Sequence, residues 1–160
     1  MLRYNGTTGA FLNTFVPFGS GGLFDPSGLT FGPDGNLYVS EAMGTDVLRY
    51  NGTTGAFIGA FASGSGLSGS FGLTFGPDGN LYVVSSFTNS VLRYNGVTGA
   101  FIDAFVPSGS GGLFDPLFLA FSSRIPVSEP PTFVQMGIAL LSAGAGRRWT
   151  RSAGLRDTSA

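Results

Sequence analysis

The chain has 160 residues, 27 of them glycine and 16 phenylalanine, with neither cysteine nor histidine and a formal net charge of −1. That excludes a disulfide framework, a thiolate metal site and any mechanism built on an imidazole base or ligand. Residues 1–123 hold only Arg3, Arg49 and Arg93 among a larger number of carboxylates, so the basic stripe that a nucleic-acid partner requires is missing and no nucleic-acid partner is expected.

The chain opens on Leu2-Arg3-Tyr4-Asn5-Gly6, and the same five residues return at 48–52 and 92–96, each time followed by Thr-Gly-Ala-Phe. A motif of roughly 45 residues is therefore repeated. Residues 1–16 read as the third and fourth strands of an incomplete unit. The first full unit, from about Leu23 to Ala62, divides at its turn signals into Gly28–Phe31, Leu37–Ser40, Val47–Tyr50 and Ala56–Phe61. Gly32-Pro33-Asp34-Gly35-Asn36 and Asn51-Gly52-Thr53-Thr54-Gly55 close the hairpins, because Pro fixes φ and the Asp-Gly and Asn-Gly pairs tolerate positive φ. Leu29-to-Val39 returns as Leu73-to-Val83 in a second unit that ends near Val106, and Phe114 to Phe121 supplies a first strand alone. The Gly-Ser runs at 19–22, 64–66 and 109–112 read as connectors.

Leu37 and Val39 lie on one face of their strand and Tyr38 on the other, so each sheet is expected to be buried on both sides. Phe11 and Phe15, Phe57 and Phe61, and Phe101 and Phe105 stand four apart, which places each pair on one face against the neighbouring unit. Four antiparallel strands covered by identical neighbours make an all-β chain, a partial β-propeller of about two and a half to three blades. A ring needs about four blades, so the chain cannot close alone. Met1 stands where Val47 and Val91 stand in the later copies. The expectation is an internal valine codon read as a start, with upstream blades and a secretion signal before it; assembly of partial rings into a closed oligomer is the alternative.

Residues 124–131 form a Pro-punctuated linker, after which Thr132 can cap an apolar helix running from Phe133 to Gly146, ahead of Arg147, Arg148 and Arg151. Apolar helix and then arginine cluster reads as a stop-transfer segment, so a membrane is expected as partner through 132–151. Its rise of about 21 Å falls short of a hydrocarbon core of about 30 Å, which keeps an interfacial or buried helix beside that reading. Residues 152–160 read as a disordered tail.

Gly32–Asn36 and Gly76–Asn80 carry oxygen donors suited to calcium, but turn formation accounts for them and no metal, cofactor or catalytic residue is assigned. Arg3, Arg49 and Arg93 could ring an anion; pairing with an acid or lying across an aromatic is the simpler reading. The loops at 41–46 and 86–89 differ most between copies, so Glu41, Asp46, Phe87 and Asn89 are the candidate ligand residues.

Phe24-Asp25-Pro26-Ser27-Gly28-Leu29-Thr30-Phe31-Gly32-Pro33-Asp34-Gly35-Asn36-Leu37-Tyr38-Val39, with Val47-Leu48-Arg49-Tyr50 and Gly55-Ala56-Phe57, resembles the NHL repeat, over residues 1 to about 123. Asp46-Val47-Leu48-Arg49 lacks the His-Arg often found in that family's third strand. Val127-Ser128-Glu129-Pro130-Pro131, the apolar segment and Arg147-Arg148 resemble the PEP-CTERM sorting signal of exported bacterial proteins, with Ser128 in place of the usual first proline. Together the resemblances imply a non-enzymatic surface or extracellular-matrix protein. Its expected partners are an exosortase-type processing enzyme and a protein or polysaccharide ligand, and its C-terminal segment is expected in the inner membrane before processing. An enzyme of the propeller lyase or lactonase kind is the alternative, although Glu41 and Glu129 are the only glutamates on offer; an intracellular protein-binding module is another.

Overall fold

Two turn chemistries shape each four-stranded sheet. In the first, the Asp34 carboxylate accepts the Asn36 backbone N–H at 3.0 Å and its side-chain amide at 2.7 Å, while Gly35 takes φ 75°. In the second, the Asn51 side-chain oxygen accepts the N–H groups of Thr53 and Thr54, and the Asn51 N–H reaches the Ala56 carbonyl at 2.8 Å. These are the local bonds by which Asp and Asn favour turns over ladders.

A computed structural model describes residues 1–122, which are all-β. Strands β1 (Leu2–Tyr4) and β2 (Phe11–Thr14) pair as a two-stranded sheet. Strands β3 (Pro26–Phe31), β4 (Leu37–Glu41), β5 (Asp46–Tyr50) and β6 (Phe57–Ser63) follow as an antiparallel meander in chain order. A second meander repeats it with β7 (Ser70–Phe75), β8 (Leu81–Ser85), β9 (Ser90–Tyr94) and β10 (Phe101–Val106).

Both faces of the first meander are covered, as the apolar pattern of its strands requires. Leu37, Val39, Leu48 and Tyr50 pack against Val16 and Leu23. On the opposite face Tyr38, Val47, Phe61 and Ala62 pack against Leu67 and the second meander's Leu73, Leu81, Val83, Leu92 and Tyr94. Each such side chain contributes about 1.5–3 kcal/mol on burial. Leu81, Val83, Leu92 and Tyr94 repeat Leu37, Val39, Leu48 and Tyr50, so one kind of interface occurs twice in the chain. Hydroxyls stitch its polar margin: Ser27 donates to the Ser70 carbonyl at 2.7 Å, Ser40 donates to the Phe71 carbonyl, and Ser70 bonds both backbone groups of Glu41.

Two expectations are corrected. Phe57 and Phe61 do not share a face. Tyr50 pairs with Phe57, Arg49 with Gly59, Leu48 with Ala60 and Val47 with Ala62, so Ile58 and Phe61 are the extra residues of two β-bulges. Phe57 stays beside Tyr50, ring centroids 5.5 Å apart, whereas Phe61 meets Tyr38 on the other face at 4.8 Å. The same shift puts Phe101 against Tyr94 and Phe105 against Tyr82. Nor is 114–121 a strand. The Leu117 carbonyl accepts the N–H of Gly72 in β7 at 2.8 Å and Phe121 meets Tyr82 as Phe75 meets Tyr38, but among the described residues no strand pairs with this segment in a ladder.

The linker at 124–131, the apolar helix with its arginines at 132–151 and the tail at 152–160 lie outside the described residues. Among the described residues no helix is long and apolar enough to cross a membrane.

Candidate functional site

The three repeated arginines occupy the same place in successive sheets, and each lies across an aromatic ring. Arg3 stands 4.9 Å from the Phe15 centroid, Arg49 5.3 Å from that of Phe61 and Arg93 5.5 Å from that of Phe105. Their cross-strand neighbours differ: Asn13, Gly59 and Asp103. Arg93 accordingly donates twice to Asp103, through Nε at 3.1 Å and Nη2 at 2.6 Å. Arg49 has no carboxylate in that position, and its buried Nε has no hydrogen-bond partner.

The glycine-proline-aspartate turns spend their carboxylates locally. Asp34 takes the Tyr38 hydroxyl at 2.9 Å besides Asn36, and Asp78 takes Tyr82 at 3.0 Å besides Asn80. Burial pushes both carboxyls up, but the hydrogen bonds from Asn36 and Tyr38, and from Asn80 and Tyr82, outweigh it and hold both below the usual 3.8. Burial, with a smaller push from Glu41, raises the Tyr50 hydroxyl to about 12; burial and Asp46 do the same for Tyr94. No group of three or more carboxylates that could hold a metal ion occurs among the described residues.

The two variable loops connect β4 to β5 and β8 to β9 at the same end of their sheets. Each borders a shallow depression. Glu41 accepts the Phe24 N–H at 2.8 Å, and with Phe24, Asp25, Met43 and Gly44 it lines the first. Phe87 and Asn89 line the second with Ser86, Phe114 and Asp115. Asn89 is left-handed at φ 52°, which aims its side-chain oxygen at the Asp115 N–H, 2.8 Å away; the Ser86 hydroxyl donates to the Asp115 carboxylate. Phe87 is exposed, its ring against Gly69. Asp46 is apart from both depressions, its carbonyl accepting the Ser70 hydroxyl at 3.2 Å.

The structure thus brings Phe87 and Asn89 together, sets Glu41 in a separate hollow formed by the segment that leads into its own meander, and leaves Asp46 out. Sequence reasoning missed Phe24, Asp25, Phe114 and Asp115. The Phe-Asp-Pro string shared by 24–26 and 114–116 is the signal that marks them. Chemically the first hollow offers the exposed Phe24 ring beside two carboxylates, Asp25 and Glu41, and the second offers two exposed rings, Phe87 and Phe114, beside one carboxylate, Asp115. Val127, Ser128, Glu129, Pro130, Pro131, Arg147 and Arg148 lie outside the described residues.

No protein-family model matches the chain, and no curated protein matches it either.

Proposed function

We propose that this chain is a non-enzymatic, exported bacterial surface or extracellular-matrix protein whose stacked four-stranded sheets are blades of an NHL-like β-propeller. Residues 132–146 are its apolar helix, and 125–151 act as a PEP-CTERM-like signal read by an exosortase-type enzyme. The observation that carries this reading is the order of parts: blade-like sheets that cover one another, then a Pro-bearing element, an apolar stretch and Arg147-Arg148. The hollows at Glu41 and at Phe87 and Asn89 are its ligand places, where a ring face and a few acceptors suit a peptide or a sugar. Loops on a rigid sheet scaffold are where recognition concentrates.

The test is expression of the chain behind a secretion signal in a bacterium that carries an exosortase. The expected outcome is membrane retention of the precursor and a mass loss on processing. Ser128→Pro should speed that processing, and Arg147→Ala with Arg148→Ala should release the precursor from the membrane. A precursor that reaches the periplasm soluble and uncut would overturn the reading.

A further inference from the structure

Parts of both halves of the interface that joins the sheets inside the chain recur, less covered, at the two ends of residues 1–122: Leu2 and Tyr4 repeat Leu48 and Tyr50, without counterparts of Leu37 and Val39, and 105–116 repeats 15–26. In the first internal case Val16 and Leu23 receive Leu48 and Tyr50, which are 5% and 0% exposed, and the Tyr50 hydroxyl donates to the Ser20 carbonyl at 2.8 Å. In the second, Ala62 and Leu67 receive Leu92 and Tyr94, and Tyr94 donates to the Gly64 carbonyl at 3.2 Å. Leu2 and Tyr4 repeat the receiving pair's partners but are 57% and 54% exposed.

The other half recurs at 105–116. That segment matches 15–26 at every position except Phe18, which is Ser108. Its backbone repeats too: Gly109, Gly111 and Gly112 take φ of 68°, 62° and 85° where Gly19, Gly21 and Gly22 take 75°, 66° and 91°. The Leu113 N–H closes onto the Ser110 carbonyl at 3.0 Å as Leu23 closes onto Ser20 at 3.2 Å. Yet Val106 and Leu113 are only half-buried, and Phe105 is 48% exposed where Phe61 is 9%. The receiving segment is thus preformed, and it complements Leu2 and Tyr4 at the opposite end of a second copy rather than its own kind.

We propose that two copies of this chain join head to tail, Leu2 and Tyr4 of one packing on Val106 and Leu113 of the other, with the Tyr4 hydroxyl donating to the Ser110 carbonyl. Such a contact is heterologous, so association continues until a ring closes or a filament grows. The proposal is independent of export and sorting.

Sedimentation of the 160-residue chain tests it. The wild type should gain mass with concentration through the micromolar range. Tyr4→Asp alone and Leu113→Asp alone should each stay monomeric, and their mixture should form a 1:1 dimer that grows no further, since one competent end remains on each. Tyr4→Phe, which keeps the ring and cannot unfold an exposed site, should weaken association by about 2–10-fold, the worth of one hydrogen bond. A wild type that stays monomeric, or association that survives both aspartate variants because it is driven elsewhere in the chain, would overturn the proposal.

Discussion

Gly9, Gly55 and Gly99 hold one place in the three repeats, at φ 71°, 74° and 74°, but differ in what stands over them. A Cβ at Gly9 meets nothing within 4 Å. At Gly99 it falls 2.8 Å from the carbonyl carbon of Phe61 in the neighbouring sheet and nearer still to its oxygen, where ordinary contact begins at 3.4 Å. Alanine in the left-handed region costs about 1 kcal/mol once the loss of glycine's freedom in the unfolded chain is credited. Gly9→Ala should cost that and little more. Gly99→Ala must in addition displace the Phe61 carbonyl, whose oxygen is the limiting contact, by more than about 1 Å in a packed interface, an overpacking term of about 1–3 kcal/mol. We expect a total of about 3 kcal/mol for Gly99→Ala and the same for Gly55→Ala, which meets Phe15 in like fashion. In urea unfolding followed by far-ultraviolet circular dichroism, that difference corresponds to a midpoint about 1 M lower than that of Gly9→Ala. Equal losses at Gly9 and Gly99 would refute the claim that sheet-to-sheet approach, rather than the turn itself, requires glycine.

Phe61→Ala should cost about 3–5 kcal/mol in the same assay, and Phe105→Ala less than half of that in dilute monomer, because the two equivalent rings differ in burial. Gly59→Asp copies Asp103 and supplies Arg49 with the carboxylate it lacks; a Cβ there meets nothing within 4 Å, so the urea midpoint should rise, by up to about 1 kcal/mol of stability. On the acid side, Asp34 and Asp78 titrate lower in the folded chain than in the unfolded one. Their stabilisation is complete above about pH 4 and drains as pH falls through their folded values, and Asp34→Asn with Asp78→Asn should flatten that limb of an acid titration. On the alkaline side, Tyr50 and Tyr94 are raised from 10.0 to about 12, so their contribution is whole below about pH 10 and is lost as pH climbs to about 12, with tyrosinate absorbance appearing together with unfolding.

What the sequence made legible was local chemistry. Asp34-Gly35 and Asn51-Gly52 place the hairpins because their bonds lie within five residues, and the alternation of Leu37, Tyr38 and Val39 reports a sheet covered on both faces. Arg3, Arg49 and Arg93 lie on rings, the simpler of the two readings their spacing allowed. Phe61 was misassigned because spacing counts residues, whereas a bulge is set by the strand opposite. Residues 114–121 carry strand-like spacing, but a ladder requires a neighbour that spacing does not supply. Asn89 and Asp115 are 26 residues apart and meet only once the segment that follows β10 folds back on the loop between β8 and β9, so their shared hollow had no local trace.

The bulge in every fourth strand sends one phenylalanine to each side of its sheet. A unit therefore bears a plug on one surface and the matching recess on the other, and no unit encodes how many others it stands among. Duplicating or deleting one whole period within the gene would lengthen or shorten the stack without requiring any newly invented fit at the seam.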